Sequence, residues 1–246
     1  MSADKQKLTF SIIVRSLIFN FFFYSFITLG VLFWLFPTSF FKSPEPMRNA
    51  IGKMIDIIIT AYEKIANIKI IERGIENIPV GKSFIFCSKH MSNMDALFLY
   101  RRSPNLTALA KKELFRVPCL NYVFKKMKVP AINRGASEAQ KQTADIVKTL
   151  IQNKMPLIIF AEGTRTVVGE RRKLKSGTFY FQEEADLDVI VVAHNAGVCW
   201  PKKSWIKWPG ELIVEYSEPM PKGLDKESFM QEIEHRLLDR SEELML

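Results

Sequence analysis

Twenty consecutive positions, Leu17 to Phe36 (LIFNFFFYSFITLGVLFWLF), hold no charged residue. Wound as a helix at 1.5 Å per residue, the run is about 30 Å long, the thickness of a bilayer's hydrocarbon core. Asn20, Ser25, Thr28 and Gly30 are tolerable inside it, because a helix satisfies its own backbone groups. Lys5, Lys7 and Arg15 precede the run and Pro37 closes it, which by the positive-inside rule predicts a cytoplasmic N-terminus. The stretch is too long and Phe-rich for a cleaved leader and lacks a small-x-small site after Trp34, so it is expected to persist as an anchor.

After Pro44 and Pro46, Met47 to Ile68 reads as a second helix. Ile51, Met54, Ile55, Ile58, Ile59, Tyr62, Ile65 and Ala66 recur at three- and four-residue spacing, with Arg48, Lys53, Asp56, Glu63 and Lys64 between them. Such an amphipathic helix packs on a domain or lies in the lipid interface. No later apolar run is long enough to bring the chain back across a bilayer. Lys and Arg number 35 against 26 Asp and Glu, a net charge of +9 that suits an anionic cytoplasmic leaflet, a phosphate-bearing substrate or nucleic acid. Residues 1–68 are therefore expected to form a membrane-embedded helical hairpin, and residues 69–246 a cytoplasmic domain. With 48% hydrophobic residues the chain is not disordered. Cys87, Cys119 and Cys199 have neither disulfide-framework nor metal-ligand spacing, which predicts a reducing compartment and no metal site.

Beyond residue 68, strand and helix signals alternate. Strands are expected at Lys69–Arg73, Ser83–Ser88, Leu106–Ala110, Val129–Ile132, Pro156–Phe160, Leu187–Ala193 and Gly210–Tyr216. Helices are expected at Asn93–Tyr100, Lys111–Lys126, Ser137–Asn153 and Asp225–Leu244. This order predicts an α/β fold, a mixed and mostly parallel sheet flanked by helices, behind the N-terminal membrane-associated helical pair.

The chemistry concentrates where buried strands end. His90 and Asp95 follow the strand ending at Ser88 and stand five residues apart, about 140° around an ideal helix, so they would not share a helical face. A strand–turn–helix instead brings Asp95 back beside the imidazole, where a carboxylate on one ring nitrogen leaves the other as a general base. A dyad of this kind has no nucleophile of its own, so the substrate must bring one. Asp95 as a mere helix-start residue is the competing reading of the same spacing. A second strand runs into Phe160-Ala161-Glu162-Gly163-Thr164-Arg165, with Gly163 for a tight turn and Arg165 for a bidentate fork. Lys111 and Arg134 follow two further strands, and with Arg165 they form a candidate phosphate site.

His90-x4-Asp95, Ala110-Lys111-Lys112-Glu113-Leu114, Ile132-Asn133-Arg134, Phe160-Ala161-Glu162-Gly163-Thr164-Arg165 and Val191-Val192-Ala193-His194-Asn195-Ala196-Gly197 occur in one order. That order resembles the motifs of the glycerolipid acyltransferases, specifically the 1-acyl-sn-glycerol-3-phosphate acyltransferases, from about Ile70 to Leu224. The chain departs from the family at Ala161 and Val191, where proline is usual, and at Asn133, where aspartate is common. The resemblance implies that His90 takes the proton of a lysophosphatidic acid's 2-hydroxyl as it attacks an acyl thioester, with Asp95 orienting the imidazole. It implies that Lys111 and Arg165 hold the substrate phosphate, with Arg134 beside them, and that Glu162 binds glycerol or orders Arg165, with Gly163 and Thr164 completing the binding loop. Acyl-CoA or acyl carrier protein would be co-substrate; no other cofactor is expected. Phosphatidic acid would be made at the inner (cytoplasmic) membrane, by a domain facing the cytoplasm.

Glycerol 3-phosphate or another lysolipid is an alternative acceptor. A membrane-tethered nucleic-acid binder would explain the charge but would have no use for His90 and Asp95, so no nucleic-acid partner is expected. A hydrolase would need a nucleophile elbow that the sequence lacks. His194 reads as structural before functional, and His235 as a surface residue. Arg171-Arg172-Lys173-x-Lys175 reads as a basic loop toward headgroups or the carrier's phosphate, or equally as a solvated turn, and Trp200, Trp205 and Trp208 as an interfacial belt, with a core role open for one or two of them.

Overall fold

A six-stranded sheet in the order β1-β8-β7-β2-β6-β3 organises the chain. The computed structural model describes residues 7–116, 120–132 and 136–245. The strands are β1 (Ile68–Arg73), β2 (Phe84–Ser88), β3 (Thr107–Ala108), β6 (Leu157–Phe160), β7 (Asp188–His194) and β8 (Gly210–Pro219). All neighbours run parallel except β7 and β8, so the sheet is mixed and mostly parallel. The expected strand at Leu106–Ala110 divides: β3 joins this sheet, while β4 (Ala110–Lys111) pairs with β5 (Ala131–Ile132) in a separate two-stranded ladder.

Helices cover the sheet. After α1 (Phe10–Thr38) and α2 (Glu45–Ala66) come α3 (Asp95–Arg102), α4 (Leu120–Lys126), α5 (Ala136–Gln152), α6 (Gly177–Ala185) and α7 (Lys226–Glu234). The expected helix at Lys111–Lys126 is a 3₁₀ segment, Lys112–Arg116, and then α4. Asp225 caps α7 by accepting from the N–H groups of Glu227 and Ser228, and a π turn at His235–Asp239 carries the helix on to Glu243.

The first helix is longer than the uncharged run that signalled it. Ile12, Ser16, Phe19, Phe23 and Gly30 form its buried stripe, at three-, four- and seven-residue intervals. Away from that stripe Phe21 is 78% and Phe33 76% exposed. The helix is thus apolar all round but docked on one side only. At Gly30 an added Cβ would stand 2.3 Å from Met54 Cε, so the glycine lets α1 and α2 close on each other. α2 buries Met54, Ile55, Ile58, Ile59 and Tyr62, which settles its amphipathic face as one packed on the domain.

Trp200 is not part of an interfacial belt. It is buried, with Phe19 and Phe23 edge-on to its ring at 5.7 and 5.1 Å between centroids. Trp205 remains half exposed. Lys207, 1% exposed, lies beneath them: its Nζ donates to Asn20 Oδ1 (2.6 Å) and Trp205 O (2.9 Å) and sits 3.8 Å from the Trp200 ring centroid. Its N–H donates to Ser16 Oγ at 2.8 Å. These bonds pin α1 to the loop before β8.

Burial pushes the Lys207 pKa down to about 7. Between pH 7 and the ordinary lysine range near about 10.4, the unfolded chain holds a proton that the folded chain has released, so stability contributed at this residue rises with pH. Thermal unfolding in detergent should show the gap between wild type and Lys207→Met widening in the wild type's favour over that window, by at most about 1.4 kcal/mol per pH unit. A gap that did not change with pH would contradict a lysine neutralised by burial.

The two proline departures leave no loose backbone. Val191 N–H donates to Ser217 Oγ (3.1 Å), where the β7–β8 pairing shifts register, and Ala161 N–H donates to Ser88 O (3.3 Å). Proline could make neither bond. Asn133 lies outside the described residues.

Candidate active site

Three parallel strands share one register line, at which β2 and β6 end and β7 runs two residues further. Ser88 of β2 pairs in register with Phe160 of β6 and Val192 of β7. His90, Glu162 and His194 therefore stand two residues beyond a common line, at the carboxyl ends where α/β sheets form their sites.

The turn from His90 to Met94 wraps around one carboxylate oxygen. Asp95 Oδ2 accepts from His90 Nδ1 (2.8 Å), Met91 N (2.7 Å) and Ser92 N (2.8 Å). Three donors on one oxygen fix both the Asp95 rotamer and the imidazole plane. With Nδ1 carrying its hydrogen toward Asp95, Nε2 presents a lone pair. Asp95 is fully buried, and its Oδ1 has no hydrogen bond among the described residues. That oxygen faces His194 Nε2 at 3.9 Å. Phe160 stacks on the His90 ring, centroids 3.9 Å apart and planes 15° from parallel, closing one face of the imidazole.

Glu162 is 3% exposed and works from below. Its Oε2 accepts from His90 N–H at 3.0 Å, and Thr166 Oγ1 donates to the carboxylate at 3.1 Å. Thr166 N–H also donates to His90 O at 2.7 Å. Glu162 and Thr166 thus clamp the His90 backbone from both sides. Burial pushes the Glu162 pKa up against the opposing pull of the His90 N–H, Lys89 and Thr166. Lys89, equally buried, has its Nζ 3.9 Å from Glu162 Oε1, and burial pulls its pKa down.

His194 completes the floor. Its Nε2–H donates to Lys89 O (3.0 Å) and its Nδ1 accepts from Ala196 N (3.3 Å), a consistent neutral tautomer. Burial lowers its pKa, which keeps the ring uncharged. It is fully buried and orients the backbone before His90.

Arg165 comes from the same loop as Glu162 and donates from Nε to His90 Nε2 at 3.3 Å. Its own carbonyl is held by the Lys202 ammonium. Gly163 makes the turn at φ +69°. Thr164 is exposed and makes no hydrogen bond among the described residues. Lys111 lies in β4, and Arg134 falls outside the described residues. His235 is a surface residue paired with Asp239. Arg171 is exposed, and its guanidinium meets Glu234, Asp239 and Glu242 on the closing helix. Phe160, Thr166 and Lys89 were not singled out by sequence. The one available signal was Thr166 four residues after Glu162, on a loop whose path no periodicity foretold.

Among the described residues no side-chain hydroxyl or thiol hydrogen-bonds to His90 Nε2. Burial pushes the Cys87 and Cys199 thiols up to about 12, far from nucleophilic thiolates. The site is thus a histidine fixed by a buried aspartate, with an arginine at its mouth and no hydroxyl or thiol bonded to Nε2 among the described residues, on a mixed α/β sheet. An acyltransferase family model matches residues 69–195, and the chain belongs to that family.

Its relatives sharpen the comparison. A 1-acyl-sn-glycerol-3-phosphate acyltransferase of Pseudomonas aeruginosa is 36% identical over 151 residues, covering 61% of this chain and 58% of the relative. One from Borreliella burgdorferi is 31% identical over 129 residues, 52% of each. The matched segment thus spans less than two thirds of either relative. The crystal structure of the 1-acyl-sn-glycerophosphate acyltransferase PlsC from Thermotoga maritima superposes with a TM-score of 0.75 at 23% identity, over 94% of this chain and 97% of that one. That likeness is one of fold, and it extends through the N-terminal helices.

Proposed function

We propose that this chain is a membrane-bound 1-acylglycerol-3-phosphate O-acyltransferase, moving an acyl group from acyl-CoA or acyl carrier protein to the 2-hydroxyl of its acceptor. The observation that carries the reading is the His90–Asp95 bond, with no protein nucleophile bonded to Nε2 among the described residues. The acceptor's hydroxyl gives its proton to Nε2 as its oxygen attacks the thioester carbonyl. Asp95 stabilises the imidazolium so formed. Collapse of the tetrahedral intermediate breaks the carbon–sulfur bond, and the imidazolium proton leaves with the thiol. Phosphatidic acid and free CoA, or the free carrier, are the products.

Arg165 occupies Nε2 in the structure, so it must leave before the hydroxyl arrives. A phosphate on the acceptor supplies the pull, because an arginine fork binds that group bidentately. The exposed phenylalanines of α1, Phe21 and Phe33 among them, supply an apolar face suited to acyl chains of one leaflet. The basic surface suits the anionic cytoplasmic side.

Arg165→Lys tests the phosphate reading, since it keeps the charge and removes the fork. A charged hydrogen bond is worth about 1.5–3 kcal/mol, so kcat/KM for 1-acylglycerol 3-phosphate should fall about ten- to a hundredfold. A matched acceptor without phosphate should lose little. Equal losses on both acceptors would make Arg165 scaffold and remove the lysophosphatidate assignment. Glycerol 3-phosphate in the same panel measures the alternative acceptor directly.

A further inference from the structure

The basic loop between β6 and α6 does not use its cations alike. Arg171 is held by three carboxylates and Arg172 by Glu170. Lys175 is exposed, and its ammonium has no hydrogen bond or ion pair among the described residues. Yet the residue is not adrift. Its N–H donates to Ala161 O at 2.8 Å, tying the end of the loop to its beginning. Its side chain lies across Gly163: a Cβ added there would stand 2.5 Å from Lys175 Nζ, 2.6 Å from Cε and 2.9 Å from Cδ. Gly163 is therefore glycine for two reasons, its positive φ and the lysine passing over it.

An unpaired ammonium is thus held on the turn between Glu162 and Arg165, the loop that carries the arginine of the site. We infer that Lys175 is a second cationic ligand of the acceptor's phosphate monoester, acting beside Arg165. The assignment rests on the reading that the acceptor bears a phosphate. The two cations are complementary: the guanidinium offers a planar fork, and the ammonium a point charge on a flexible stem. Because a dianion has charge enough for both, drawing Arg165 off His90 Nε2 need not leave the phosphate with one partner.

Lys175→Met keeps an apolar stem of similar length against Gly163 and removes the charge; Lys175→Arg restores it. The full chain in mixed micelles would be assayed with 1-acylglycerol 3-phosphate, with the matched 1-acylglycerol, and with inorganic phosphate as competitor. Melting curves establish that each variant is folded. Lys175→Met should raise KM for the phosphorylated acceptor about tenfold with little change in kcat, and weaken inhibition by inorganic phosphate in parallel. Lys175→Arg should recover most of both. The unphosphorylated acceptor, with nothing for the ammonium to meet, should show no such rise.

Unchanged KM and unchanged phosphate inhibition in folded Lys175→Met would overturn the assignment. So would a rise confined to the KM of the acyl-CoA donor, which would give the lysine to the donor's phosphates, or equal losses on both acceptors, which would make it scaffold. A wild-type enzyme that neither prefers the phosphorylated acceptor nor is inhibited by inorganic phosphate fails differently: the acceptor reading itself falls, and the role of Lys175 with it.

Discussion

His90→Ala should abolish most turnover while leaving the protein folded. Removal of a general base typically costs about 10²–10⁴-fold in rate. The fold should survive because the imidazole is partly exposed and hangs from a backbone fixed independently: His90 N–H on Glu162, His90 O on Thr166 N–H. What the variant loses structurally is one stacked face on Phe160, one bond to Asp95 and one from Arg165. Single-turnover acyl transfer with saturating donor and acceptor, read beside a melting curve, separates chemistry from stability. Near-wild-type kcat in a folded His90→Ala protein would end the proposed mechanism.

Asp95→Asn should be nearly as damaging, for another reason. The amide oxygen can replace Oδ2 and still accept from His90, Met91 and Ser92. Its NH₂ group must then take the place of Oδ1, 3.9 Å from His194 Nε2 in the dry floor of the site, where nothing among the described residues accepts from it. The negative charge behind the imidazolium would also be gone. Loss of such a carboxylate behind a catalytic histidine costs up to about 10⁴-fold in kcat elsewhere, and a fall of about 10²–10⁴-fold is expected here. The acceptor's KM should move much less. A large rise in KM with kcat intact would make Asp95 a binding residue.

Sequence spacing allowed both the dyad and a mere helix-start Asp95; a strand, polar turn and helix start made the dyad reachable, and the ordered motifs favoured it. It also put Arg165 at the carboxyl end of a buried strand, as a phosphate ligand; its contact with His90 Nε2 came only with the fold. Other features left no local trace. α6 begins at Gly177 and holds Thr, Phe and Tyr, poor helix formers without an amphipathic repeat, and its helix is imposed by packing against neighbours. Ser16 and Asn20 read as tolerated polar residues within an apolar run. Their partner, Lys207, lies 191 and 187 positions away in the chain, beyond any periodicity. The basic loop looked uniform for a similar reason: which cations are spent depends on carboxylates that only the fold brings near.

The shared register of β2, β6 and β7 acts as a reading frame for the site. Strand side chains alternate between faces, so a single-residue slip turns every following side chain to the opposite side. One residue inserted between Ser88 and His90, or between Phe160 and Glu162, would bring the base and its clamp out of phase, although every functional group would still be in the chain. Insertions between Val167 and Gly169 face no such register constraint, since that stretch is exposed and lies outside the paired strands, before the ion pairs of Arg171. Length in this protein is therefore dispensable in one place and indispensable a few residues away. Evolution, or a designer grafting this dyad onto another sheet, has to conserve two short intervals before it conserves anything larger.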